Sequence, residues 1–419
     1  MEPLRLTFQL KIALFFLAVL TVILAVLVVA PTLISKKKMA SGPDNELGKY
    51  AEKILNECSN HDYRPSCYDR EIPKLLDRGV SMEEAFQVTR LIQEQDLTYF
   101  YCHVLAHNIA ENETAKDPSQ WKEVMAKCPV TMCNNGCPHG ALMERFRNDV
   151  DYLTDEQIES IKLDLADVCE PRNDWNPREV ERSMCYHALG HTAMYITNAD
   201  LRKSVQLCRE ISTKADGRVY YQTCIEGVFM SVYQPLEPED LALVKDLQPS
   251  KDTVLDFCAP FKDDPVSYHA CYKESLHLFR DEVITPEGYL KFCSYTKEPD
   301  RQDDCFRFTA FIITDKEILD NNNIEGLINF CRKLPEHPMK LCIHSAAHRL
   351  MQTDTKLAPT ATLLCQSATV LGQEIESSCY DSLLQFSAMG FIKDSAEFYE
   401  YCRLLPEPWQ ERCLNGQWR

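Results

Sequence analysis

The stretch "CRKLPEHPMKLC", residues 331–342, returns without a gap as "CRLLPEPWQERC" at 402–413. Two cysteines with Pro, Glu and basic residues between them, and apolar runs outside, read as a stapled hairpin. On this reading Cys331 pairs with Cys342 and Cys402 with Cys413. Working outward, the same layout couples Cys169 with Cys185, Cys208 with Cys224, Cys258 with Cys271, Cys293 with Cys305, and Cys365 with Cys379. All seven pairs have separations of 11 to 16. Their first members follow one another at intervals of 34 to 50 residues, the range of helix–turn–helix repeats. A bulky residue usually precedes the first cysteine, and an apolar helical run follows the second, as in "CIEGVFMSVY" from 224 and "CFRFTAFII" from 305.

The unit predicted by this pattern is an α-hairpin. One helix ends at the first cysteine, a polar loop turns the chain, and the next helix opens at the second. A disulfide closing such a loop removes about 3 kcal/mol of unfolded-chain entropy. Zinc is the rival explanation of paired cysteines, but no CxxC spacing occurs in the chain. The remaining cysteines fit the same scheme: Cys58 with Cys67, Cys128 with Cys137, and Cys102 with Cys133 as a bridge between repeats. The dense segment "CPVTMCNNGCPHG", 128–140, is then a doubly stapled turn. With only 13 glycines and short β-branched runs, the expected fold is all-α: an N-terminal transmembrane helix followed by an α/α-hairpin repeat array, either a solenoid or a closed α/α toroid.

Residues 12–34, "IALFFLAVLTVILAVLVVAPTLI", carry no charge. At 1.5 Å per residue they span about 34 Å, enough for a bilayer and longer than the apolar core of a signal peptide. Residues 1–38 are therefore expected to be an uncleaved membrane anchor and 39–419 a single domain. Lys36, Lys37 and Lys38 argue by charge for a cytoplasmic C-terminal domain. Twenty cysteines in paired spacing argue for an extracytoplasmic one, whether extracellular, periplasmic or luminal, and the latter expectation is adopted. Asn112-Glu-Thr114 is a glycosylation acceptor sequence consistent with that side. A formal charge of −18 speaks against nucleic acid as a partner.

Aligning the repeats on the second cysteine exposes two positions, two and six residues beyond it. They hold His139 and Met143, His187 and His191, Glu226 and Met230, Lys273 and His277, Arg307 and Phe311, His344 and His348, then Asp381 and Gln385. His103 and His107 fill the same places, with Cys102 one residue closer. Eleven histidines placed at random give about 0.3 pairs at i, i+4, against the three seen here. Residues four apart share a helix face, so two imidazoles can converge on one ion, and neighbouring helices can add further ligands.

The candidate metal ligands are His103, His107, His139, His187, His191 and Glu226, with His344 and His348 joining them only if the array closes into a ring. Small residues beside them, Gly140, Gly190, Gly227, Ala346 and Ala347, would allow close helix approach. Imidazole suits Zn, Cu and Fe alike; Met143 and Met230 would lean toward copper if they are ligands. Covalent c-type haem is excluded because no CxxCH is present, while a non-covalent bis-histidine haem stays open. Glu144, Glu226 and Glu274 are available general bases, expected to be solvated or capping carboxylates.

Two classes of function follow: a membrane-anchored metalloprotein, hydrolytic or redox-active, or a non-enzymatic solenoid that binds a protein, peptide or glycan on its concave face. Metal storage or delivery is a third.

Overall fold

Ten disulfides join all twenty cysteines in the pairing expected from their spacing. The first three are Cys58–Cys67, Cys102–Cys133 and Cys128–Cys137. The other seven are Cys169–Cys185, Cys208–Cys224, Cys258–Cys271, Cys293–Cys305, Cys331–Cys342, Cys365–Cys379 and Cys402–Cys413.

The computed structural model describes residues 43–418 apart from 97, 100, 130–131, 148–152, 173–174, 215–216 and 236–237. The described residues are helical, with only two isolated β-bridges, Arg172 with Trp175 and Thr213 with Val219. The chain divides into two compact units, Met1–Lys53 and Ile54–Arg419. Of the first, only 43–53 are described, as the start of a helix Pro43–Cys58. The apolar run 12–34 and the boundary expected at 38 lie outside the described residues. Among the described residues, no helix is long and apolar enough to cross a membrane.

Eight helices of the second unit carry the aligned positions, except that His277 falls in the short turn Ser275–Phe279 just after the fifth. They are α1 (His103–Lys116), α2 (Gly136–Arg147), α3 (Glu179–Ile196), α4 (Tyr221–Tyr233), α5 (Pro265–Glu274), α6 (Pro299–Thr314), α7 (Glu336–Thr353) and α8 (Gln373–Gly390). The first cysteines stand largely where the spacing puts them: Cys258, Cys331 and Cys402 end their helices, and Cys293 follows directly after one. Cys169 lies just past the helix Asp155–Asp167, whereas Cys208 and Cys365 sit inside the last turn of theirs.

The second cysteine lies in the first turn of its helix at Cys137 of α2 and Cys224 of α4, as the spacing had suggested, but others lie deeper. Cys185, Cys305 and Cys342 each sit about two turns inside α3, α6 and α7. Cys271 and Cys379 lie as deep inside α5 and α8, and Cys413 falls near the end of the short helix Trp409–Leu414. The Pro and acidic residues read as loop are instead first-turn residues: Pro299 and Asp300 open α6, Glu336 opens α7, and Glu179 and Glu181 open α3. Proline has no N–H to leave unpaired there, and carboxylates favour the positive end of the helix dipole.

Shorter helices back these eight. Leu201–Ile211 packs against α3 and α4, and Ala358–Ser367 against α7 and α8. Asp200 caps the first of them by accepting from the Arg202 and Lys203 backbone N–H groups, and its stripe Val205, Leu207, Cys208 and Ile211 is buried. The long helices contact one another in series, α1 to α2 and onward to α8. The series then returns on itself, because α8 also packs against α3. Arg178, at the start of α3, donates to the carbonyl of Gly390 at 2.5 Å. Arg90 pairs with buried Asp354, and Lys356 with Glu94 at 3.1 Å.

Two glycines set the tightest crossing. A Cβ on Gly190 of α3 would stand 2.8 Å from Cα of Gly227 on α4, so the backbones meet without side chains between them. Gly190→Ala is expected to lower stability by about 1–3 kcal/mol, because the rigid backbone opposite has no room to yield. The urea midpoint of the purified protein, compared with wild type at one pH, checks this.

Candidate metal centre

Five histidines from three consecutive helices meet, and three of them, His103, His139 and His187, line a cavity. His103 and His107 come from α1, His139 from α2, and His187 and His191 from α3. Ring centroids are 4.7 Å apart within the first pair and 5.1 Å within the second. His139 stands between the pairs, at 5.1 and 5.2 Å from His103 and His107 and at 5.5 and 5.3 Å from His187 and His191. Helix α2 can bring it there because Gly140 rides on α1; a Cβ on that glycine would lie 2.8 Å from Cα of His107.

Ligand nitrogens of His103, His107 and His139 all lie within 4.8 Å of one another, and all three rings are buried. Nε2 of His103 and Nε2 of His107 face each other at 3.1 Å. Two imidazoles on one tetrahedral ion, with bonds of about 2.0–2.1 Å, hold their nitrogens about 3.3 Å apart. Nδ1 of His103 reaches the carbonyl of Asn134 at 3.2 Å, which accepts its proton and leaves Nε2 with a lone pair. Nε2 of His139 is buried with no hydrogen-bond partner among the described residues. An orphaned buried nitrogen costs about 1–3 kcal/mol unless something coordinates it. Burial holds His103 down to about 4 and His139 well below the usual range, with neighbouring imidazoles adding to the effect. These rings are therefore neutral at neutral pH, the form that binds metal.

The cavity, about 1160 Å³, is lined by side chains from the aligned positions of α2 to α8 as well as by His103. On the wall beyond α4 the chemistry changes from imidazole to ion pairs. Glu226, expected as a metal ligand, instead pairs with Lys273 and accepts from Gln222 Nε2 at 2.9 Å. The reason is the register itself: the next repeat places a lysine beside it, and opposite charges in a buried site pair. Burial works against charge on Lys273, but Glu226 and Asp304 outweigh it and hold the ammonium. Asp304 also takes His269 at 2.7 Å, and Tyr295 reaches the other ring nitrogen of that histidine. Glu274 is not a solvated carboxylate: it is 2 % exposed, and burial pushes its carboxyl well up.

His344 and His348 line the same cavity, yet their contacts lie elsewhere. His344 Nδ1 bonds the carbonyl of Ser378 at 3.0 Å, and His348 packs edge-on to Phe386 at 5.5 Å. Arg349 beside them makes a two-pronged pair with Asp315, both contacts at 2.8 Å. Of the two methionines, Met143 is buried in the core, while Met230 lines the cavity with Sδ 3.2 Å from His187 Nε2. The acceptor sequence at Asn112 falls inside α1, with Asn112 exposed and Thr114 fully buried, rather than on a surface loop. The Lys273–Asp304–His269–Tyr295 network was missed; the only hint in the sequence was Lys273 at an aligned position.

No family model matches the chain, and neither a curated protein nor a solved structure matches it.

His348 supplies a pH test away from the five-histidine wall. Burial, reinforced by His344 and Arg307, holds it down to about 4, against 6.5 in an unfolded chain. Between those values the unfolded state binds more protons, so stability rises with pH there. The contribution is complete above about 6.5 and lost as pH falls toward 4. His348→Leu is expected to flatten the stability profile by about 2 kcal/mol over that window, read from urea midpoints at pH 4.5, 5.5 and 6.5.

Proposed function

We propose that this chain is an extracytoplasmic metalloprotein whose helical hairpins form a closed α/α repeat ring, anchored to a membrane through residues 12–34. His103, His107 and His139 would hold one transition-metal ion on the inner wall of that ring. The observation that carries the reading is the convergence of three buried imidazoles whose ligand nitrogens lie within 4.8 Å. Ten disulfides with no free cysteine support an oxidising compartment.

When bound by three histidines, such an ion offers a Lewis-acid or redox centre with a position open to the cavity. The chain's own residues would do the rest. Asn134 fixes the His103 ring through its carbonyl, so that Nε2 stays aimed at the site. On α5, Glu274 carries a carboxyl whose proton affinity burial raises, and Lys273 a charge fixed by two carboxylates. Lys273 gives the cavity a cationic anchor for a small polar substrate. Hydrolysis and redox chemistry both fit this arrangement, as does delivery of the ion without turnover.

Zn, Cu or Fe supplied to the purified protein, with its disulfides intact, is expected to remain bound through gel filtration. His139→Phe, which keeps the ring volume, should remove one equivalent by elemental analysis. Wild-type protein that emerges free of metal, or a variant with unchanged content, would overturn the reading.

A further inference from the structure

Beside the triad lies a second convergence that the first ion does not use. Nε2 of His191 faces Nε2 of His187 at 3.3 Å, and Nε2 of His187 faces Sδ of Met230 at 3.2 Å. The hydrogen bonds on the far sides of these rings decide which atoms carry protons. Ser231 Oγ donates its single proton to the carbonyl of Gly227 at 3.0 Å, since a carbonyl can only accept. It must then accept from Nδ1 of His191, 2.9 Å away, which leaves Nε2 of that ring as a bare lone pair.

His187 Nε2 stands between that lone pair and the Met230 sulfur, so two ring nitrogens and a thioether, all groups that ligate soft metals, come together on α3 and α4.

We infer that His187, His191 and Met230 form a second metal site, distinct from the triad and selective for Cu(I). The donors choose the ion: a thioether is a soft ligand, and with two imidazoles it suits Cu(I) over Zn(II) or Fe(II). The spacing fits, since 3.3 Å is about what two nitrogens on one ion require. The supports fit as well, the His191 ring being oriented by the hydrogen bond of its other nitrogen to Ser231. Met230 is half-buried on the cavity wall, so the ion would face the same cavity as the first. The two sites share no ligand, and occupancy of one does not require the other.

The test uses the full-length chain, freed of metal and with disulfides intact, titrated anaerobically with Cu(I) as its acetonitrile complex against a chromogenic chelator. The wild type is expected to hold a tight Cu(I) equivalent with a sulfur neighbour in its X-ray absorption spectrum. Met230→Leu, close to the same volume, should abolish the sulfur signal and weaken that equivalent at least tenfold. Ser231→Ala keeps all three ligands and should weaken it about 10–100-fold. His139→Phe, which dismantles the triad, should leave the sulfur-ligated equivalent in place, so failure of the first site is told apart from failure of this one. A wild-type spectrum without sulfur, a Met230→Leu affinity equal to wild type, or loss of this equivalent in His139→Phe would each overturn the second site.

Discussion

The constraint on which the rest depends is angular. A helix advances about 100° per residue, so positions two and six beyond a cysteine lie about 200° and 240° around the axis from it. The disulfide faces the backing helix, and these two positions therefore face the other way. Repeating one cysteine register through α3 to α8 points an entire series of side chains at a common interior. Nothing else in the chain needs to specify the cavity's lining; it follows from where the sulfurs are tied.

Filling that interior with imidazoles has an energetic consequence. Each buried ring trades water for whatever the neighbouring helix offers, and here a backbone carbonyl or a serine hydroxyl satisfies one nitrogen of His103, His191 and His344. The second nitrogen then points inward as a lone pair. Helices packed in series this way accumulate ring nitrogens that face one another, and two bare acceptors do not satisfy one another. The mixed wall at α5 and α6 meets the cost of burial differently, by placing Lys273 against Glu226 and Asp304. One cavity therefore holds a wall of facing imidazoles and a wall that already contains its own cation.

Much of this was legible in the sequence because it is local. The cysteine pairing and the two-and-six register are short-range facts, and both fix geometry directly. The helix starts were misplaced because Pro and Glu serve first turns and loops alike, and only the capping geometry of residues such as Glu179 or Pro299 separates the two. The fate of Glu226 was illegible in its own repeat, since it is decided by Lys273, 47 residues on. The return of α8 to α3 and the Arg90–Asp354 pair, 264 residues apart in the chain, leave no mark in any single repeat. The register alone left open whether Met230 is a ligand; its place on the cavity wall and its sulfur's position against His187 are visible only in the fold.

The ten bridges span between 9 and 31 residues, and none joins the first helices to the last. A chain entering an oxidising compartment from its N-terminus can therefore complete each bridge before the next pair of cysteines arrives, save for the interleaved Cys102–Cys133 and Cys128–Cys137. The histidines of α1 to α3 and Met230 of α4 all belong to the earlier half of that order. The covalent frame around the imidazole wall is finished while the opposite wall has yet to appear, and closure is left to the reversible contacts of the seam.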